Sequence, residues 1–138
     1  MSDQSVLIEQ EIIKLTHEWM DAVGQRDRAT LERILGNDFL IAGWQPRGRL
    51  GDKQFYIQDC LMPLEFEQAK YSYDRWHLRM YDKVVIANCI LECHALVAGK
   101  EWGGVFLNTY AWINRINSWQ VVTCHSSAVV NPQGEVAG

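Results

Sequence analysis

The sequence predicts an α+β fold in which three helices cover the concave face of a curved, mainly antiparallel sheet. Two observations carry this prediction. Apolar residues recur at helical spacing in stretches that precede Pro63, and after Pro63 the chain turns into four β-patterned runs joined by short turn signals. A β-patterned run, "DFLIAGW", lies between the second and third helical stretches.

Taken in order, Ile8, Ile12, Leu15, Trp19 and Val23 step by three and four residues, which places one apolar stripe on a first helix that Gly24 is expected to end. Asp27 is placed to cap "RATLERIL", where Leu31, Ile34 and Leu35 form a shorter stripe stopped by Gly36, so the first two helices read as a hairpin. "DFLIAGW" (38–44) reads as a strand and "QPRGRLGD" (45–52) as a loop broken by Pro46, Gly48 and Gly51. "DKQFYIQDCLM" reads as a third helix, capped by Asp52 and stopped near Pro63. The runs 66–81, 84–98, 105–116 and 119–130 are separated by "DK", "GKEWGG" and "NS", which makes them an antiparallel meander. The closing "NPQGEVAG" (131–138) reads as a flexible tail, and the whole chain as one domain with its core over about 5–130.

At 138 residues the chain is long enough to bury about two thirds of the surface its unfolded form exposes. Hydrophobic residues make up 48% and charged residues 22%, the balance of a globular protein rather than a disordered one. The net charge is −4 and the 13 Lys and Arg are scattered, with Arg26, Arg28 and Arg33 countered by Asp27 and Glu32, which argues against a nucleic-acid partner. "MSDQS" has no basic segment followed by an apolar run, and no stretch approaches the ~18 apolar residues of a membrane span. A cytoplasmic protein without a membrane partner is expected. Cys60, Cys89, Cys93 and Cys124 show neither CxxC nor metal-finger spacing, and on one strand Cys89 and Cys93 would stand about 13 Å apart, too far to bridge. They read as reduced, mostly buried thiols, and neither a metal nor another cofactor is expected.

Certain residues carry a family resemblance. "WMDAVGQRD" closing the first helix, "LGNDF" entering the first strand and "W-x-V-V-x-x-H-x-S" on the last resemble the nuclear transport factor 2-like superfamily. Thr109 with Trp112, Arg115, and Trp119 to Ser127 resemble the association domain of calcium/calmodulin-dependent protein kinase II, a pattern shared by the small SnoaL-like proteins, and "QFYIQDCL" is similar to the third helix of that domain. The resemblance implies a cone-shaped (cystatin-like) fold, a homodimer packed through the sheet, and a cavity between the sheet and the first and third helices. It does not imply one function, because such a fold hosts isomerases, dehydratases, hydrolases and pure assembly domains.

The chemistry must therefore come from the residues. Steroid isomerases of this fold use a tyrosine late in the first helix, an aspartate base on the first strand and a second acid on the penultimate strand. By motif these positions fall on Trp19, near Gly43 and near Tyr110, and positions 39–45 hold no Asp, Glu or His, so the base is missing. The kinase association domain lines its pocket with arginines where Tyr110 and Ser126 stand here, so a charged clamp for carboxylate or phosphate is not expected.

Strand alternation puts Phe106, Asn108, Tyr110 and Trp112 on one face, and Val122, Cys124, Ser126 and Ala128 on one face of the next strand. His125, Thr123 and Ser127 then face the dimer side. Asn108, Tyr110 and Ser126 offer neutral donors and acceptors among apolar walls, with Trp19 behind them and Trp44 and Tyr56 at the mouth, which suits a small apolar or mixed-polarity ligand. Tyr110, Ser126 and Trp19 serve equally well as core packing. His94 and His125 meeting across the sheet would instead make a hydrolase or dehydratase base, and self-assembly like that of the kinase domain is a further alternative. His17 and Asp21, one turn apart, are expected on a solvated face, and Asp38 is expected to hold a turn at the entry to the first strand.

Overall fold

The structure, a computed structural model, describes residues 3–43 and 50–129. Helix α1 (Asp3–Gln25) buries Ile12, Thr16, Trp19, Ala22 and Val23. Thr16 is tolerated in this stripe because its hydroxyl donates to the Ile12 carbonyl at 2.7 Å. The helix runs past Gly24. Arg26 takes the left-handed conformation (φ 55°), its N–H reaches the Val23 carbonyl at 3.3 Å, and the Asp27 N–H reaches that of Ala22 at 2.9 Å. This paired closure is a Schellman motif, made here with arginine where glycine is usual.

Asp27 caps helix α2 (Arg28–Ile34) as expected, accepting from the Thr30 N–H at 3.2 Å and the Thr30 hydroxyl at 2.7 Å. Strand β1 (Leu35–Ala42) follows without a loop, so Gly36 is its second residue rather than a helix stop. The segment expected to be wholly loop ends in a short strand, β2 (Gly51–Asp52), paired antiparallel with β1. Asp52 then accepts from the Phe55 N–H at 2.8 Å and opens a helix over Phe55–Leu61. That helix is wound as a π-helix, and the Met62 N–H bonds the Ile57 carbonyl five residues back at 2.9 Å.

Strands β3 (Phe66–Tyr81), β4 (Val84–Val97), β5 (Lys100–Arg115) and β6 (Ser118–Ala128) form the meander. The sheet order is β2-β1-β6-β5-β4-β3, antiparallel except where β1 lies parallel to β6. Strand β5 starts five residues earlier than expected. Only Ala98 and Gly99 turn, both left-handed, and Lys100–Gly104 already pair with Val97–Cys93. The β5–β6 turn is centred on Ile116 and Asn117 (φ 50° and 60°), the geometry that matches the twist of a two-residue hairpin.

One register shift matters for the site. Ala111 pairs with Thr123 but Trp112 pairs with Val121, so Val122 is the extra residue of a β-bulge. The bulge changes the phase of β6: Trp119 and Val121 are buried together with Cys124 and Ser126, while Val122 is only half-buried and Ala128 is exposed. The expected face of Val122, Cys124, Ser126 and Ala128 is corrected accordingly, and only its two central members face inward. The core fills the concave side, where the largest fully buried side chains are Trp112, Tyr110 and Phe39.

Backbone approach is equally tight at two described glycines: a Cβ would stand 2.1 Å from the Ser126 carbonyl oxygen at Gly43 (φ 82°) and 2.1 Å from the Cys93 carbonyl oxygen at Gly103 (φ 117°). Gly99 (φ 79°) has open space around it. Gly103→Ala is expected to lower stability by more than about 2 kcal/mol, because steric overlap adds to backbone strain, and Gly99→Ala by only about 1 kcal/mol. Urea denaturation of the two variants checks this, and equal losses would contradict the register given for β4 and β5.

Candidate ligand cavity

Inward-facing residues of the sheet meet α1 and the π-helix in a cluster of rings. Trp19 lies 5.2 Å from Tyr110, 6.0 Å from Phe39, and 6.4 Å from both Tyr56 and Trp112, measured between ring centroids. Its indole N–H donates to the Tyr56 hydroxyl at 3.1 Å. These rings fill most of the cone. What remains at its centre is a cavity of about 60 Å³ bordered by Trp19, Tyr56, Asn108, Tyr110 and Ser126. Five of the six residues expected to line a site therefore meet there; the sixth, Trp44, lies outside the described residues. Tyr56 is not at the mouth, since it is 5% exposed and sits within the ring cluster.

The polar groups of this cavity are neutral. The Asn108 amide donates to the Tyr110 hydroxyl at 2.8 Å, and that hydroxyl lies 3.5 Å from the Tyr73 hydroxyl. The other amide atom, Oδ1, is buried without a partner. Turning the amide over leaves its nitrogen orphaned instead, so one unmet hydrogen bond remains either way. Burial holds Tyr73 and Tyr110 well above the usual phenol range, so both remain neutral hydroxyls. No carboxylate or imidazole borders the cavity among the described residues.

A second, wider pocket of about 200 Å³ adjoins the first and shares Met20, Val23, Cys93 and Trp102 with it. The sequence reading missed it. The glycines around it make Trp102 read as part of a turn, whereas its place in β5 opposite Ala95 makes it part of the inner face. On this pocket's rim, Tyr71 donates to Asp21 at 2.7 Å, and its hydroxyl lies 3.1 Å from Nδ1 of His17. His17 also stacks edge-on against Tyr73 at 5.3 Å. The His17 and Asp21 side of α1 thus meets β3, because the curled sheet reaches a second side of the helix: His17 is half-buried against Tyr71 and Tyr73, while Asp21 stays exposed, as expected.

The remaining candidates are dispersed. Strand β5 separates His94 from His125, so the two do not meet. His94 Nε2 lies 3.2 Å from Glu92 Oε2, and His125 is exposed beside Gly43. Asp38 forms a two-pronged ion pair with Arg115 at 2.9 and 2.7 Å, which joins β1 to the end of β5 and holds its carboxyl below the usual range. Burial pushes the Cys89 and Cys124 thiols up to about 12.

Two outcomes follow from this geometry. In native protein at pH 8, a thiol-reactive dye is expected to label the half-buried Cys60 first and Cys89 and Cys124 only on unfolding, read by peptide mass spectrometry. Tyr110→Phe is expected to cost about 1–2 kcal/mol, because Asn108 loses its remaining partner inside the core. Adding Asn108→Leu to Tyr110→Phe is expected to recover stability, measured by thermal melting, since the stranded amide is then gone.

The comparisons agree with this architecture. A family model described as the calcium/calmodulin dependent protein kinase II association domain matches residues 8–130. A nuclear transport factor 2 (NTF2)-like superfamily protein from Salmonella enterica superposes with a TM-score of 0.79 at 14% identity, covering 93% of this chain and 95% of that one. An NTF2-like protein from Cytophaga hutchinsonii gives 0.74 at 18% identity, covering 94% and 100%. The association domain of the C. elegans kinase gives 0.72 at 16% identity, covering 91% and 99%. Among curated proteins, none matches the sequence. Structural likeness at such identities establishes the NTF2-like fold, and the match over residues 8–130 establishes the family: the chain belongs to the calcium/calmodulin-dependent protein kinase II association domain family.

Proposed function

We propose that this chain is a homodimeric small-molecule-binding domain of the SnoaL-like kind, whose ligand is mostly apolar and sets one hydrogen-bonding group beside Asn108. The observation that carries this reading is the orphaned amide atom of Asn108, 2% exposed and bordering a cavity lined mainly by aromatic and aliphatic groups, with the Ser126 hydroxyl and the Cys93 and Cys124 thiols among them. A buried amide without a partner costs about 1–3 kcal/mol, and a ligand hydroxyl or carbonyl removes that cost on binding. Because no acid or imidazole borders the cavity among the described residues, its chemistry is suited to holding a ligand rather than to moving protons. Extraction of protein purified from cells with organic solvent, followed by mass spectrometry, is expected to release a bound compound from the native sequence and much less from Asn108→Leu. Equal yields from both, or none from either, would argue against the reading.

A second reading, a self-assembly module, draws on the family and on the convex face. Leu107 and Leu40 are 49% and 41% exposed there, and Thr109, Thr123, His125 and Ser127 alternate with the buried residues of β5 and β6. The two readings differ in the size of the particle. Light scattering is expected to give about 32 kDa, twice the 15.9 kDa chain, and Leu107→Asp is expected to give a folded monomer. A larger closed ring would favour assembly, and a monomer at micromolar concentration would contradict both.

A further inference from the structure

The wider pocket between the end of α1 and strands β3 to β5 has a chemical character of its own. Asp21 on its rim has one oxygen held by the Tyr71 hydroxyl at 2.7 Å, and its other oxygen has no partner among the described residues. None of the ion pairs among the described residues includes Asp21. The carboxylate is nonetheless fixed in place. Tyr71 is also held by His17, whose Nδ1 lies 3.1 Å and whose backbone carbonyl lies 3.2 Å from the phenol oxygen; the shorter contact, at 2.7 Å, is the one in which the neutral phenol donates to Asp21. Burial first, and the Asp21 hydrogen bond second, keep that phenol protonated.

The other charged residues bordering the pocket do not offset Asp21. Lys70 and His94 pair with one another across β3 and β4 and alternate with the inward-facing Tyr71 and Cys93. Their side chains therefore leave toward the opposite face of the sheet, where His94 meets Glu92. The inner wall is completed by Phe66 and Trp102, whose rings sit edge to face at 4.7 Å. A carboxylate without a counter-ion, beside aromatic rings in a half-enclosed pocket, favours a cation over a neutral or anionic group.

We infer that this outer pocket receives the protonated amine of a ligand whose unbranched chain runs inward past Met20 and Trp102 toward Asn108. This rests on the binding function proposed above and names the ligand class: an unbranched alkyl amine with a hydroxyl or carbonyl at its far end. The chain is unbranched because the inner cavity, about 60 Å³, holds little more than the end of one chain. The two pockets share Met20, Val23, Cys93 and Trp102, so a single molecule can occupy both.

Calorimetric titration of the full chain with three probes tests this: aminooctanol with its amine and hydroxyl at opposite ends, octanol, and hydroxyoctanoate. Aminooctanol is expected to bind about tenfold more tightly than octanol, and hydroxyoctanoate most weakly. In Asp21→Asn the advantage of aminooctanol is expected to vanish while octanol binding is unchanged. Asp21 is exposed, so this variant is expected to melt like the parent. If octanol binds and aminooctanol binds no better, or Asp21→Asn leaves the advantage intact, the amine site is wrong and the cavity reading stands. If hydroxyoctanoate binds best, the pocket takes an anion and the inference is overturned. If none of the three binds, the inference falls together with the cavity reading.

Discussion

The seat of Trp19 on the sheet is the constraint on which the rest of the molecule depends. This one indole lies against rings from β1, the π-helix and β5, and its N–H has its partner in Tyr56. That bond ties the position of the π-helix to that of α1 in addition to packing, whereas the other fully buried indole of the cluster, Trp112, has no partner for its N–H among the described residues. Burial of a side chain this large contributes several kcal/mol, a sizeable part of the net stability of a domain of this length. The same packing decides how much of the cone is left empty. Trp19, Phe39, Tyr56, Tyr110 and Trp112 occupy its depth, and among the described residues free space lies beside Asn108 and continues past Met20 and Trp102.

Around that seat, the sheet divides its labour by alternation. On β5, Asn108, Tyr110 and Trp112 face inward, while Leu107 and Thr109 face out. The stretch that follows Tyr110 is rich in aromatic and small polar residues because it serves both faces at once. The bulge at Val122 makes this possible: it lets Trp119 and Val121 enter the core near the turn and Cys124 and Ser126 enter it farther along. The Asp38–Arg115 ion pair then joins β1 to the end of β5, outside the core, where its charges remain hydrated.

Much of this was legible in the residues. The stripe from Ile8 to Val23, the Asp27 and Asp52 caps and the span of β3 follow from local rules, because periodicity and capping act over a single turn or a single strand. Asn108, Tyr110 and Ser126 were legible as a group because two-residue alternation survives in the middle of β5 and β6. What was not legible needed information from elsewhere in the fold. The bulge carries no glycine or proline to announce it, so Val122 was placed on the wrong face. Two glycines after Trp102 suggested a turn, yet pairing with β4 keeps that segment in the strand. His17 and Asp21 lie off the apolar stripe, and only the curl of β3 around α1 shows that Tyr71 holds them. Gly24 did not end α1 because Arg26 adopts the left-handed conformation in its place.

The central claim is that the space beside Asn108 is a binding site and not a packing defect. A crystal structure of protein purified from cells without added ligand tests it most directly. The account predicts elongated density within hydrogen-bonding distance of the Asn108 amide, continuing past Trp102 into the outer pocket. A rotated Trp19 or Tyr110 that closes the space and satisfies Asn108 from within the chain would contradict it.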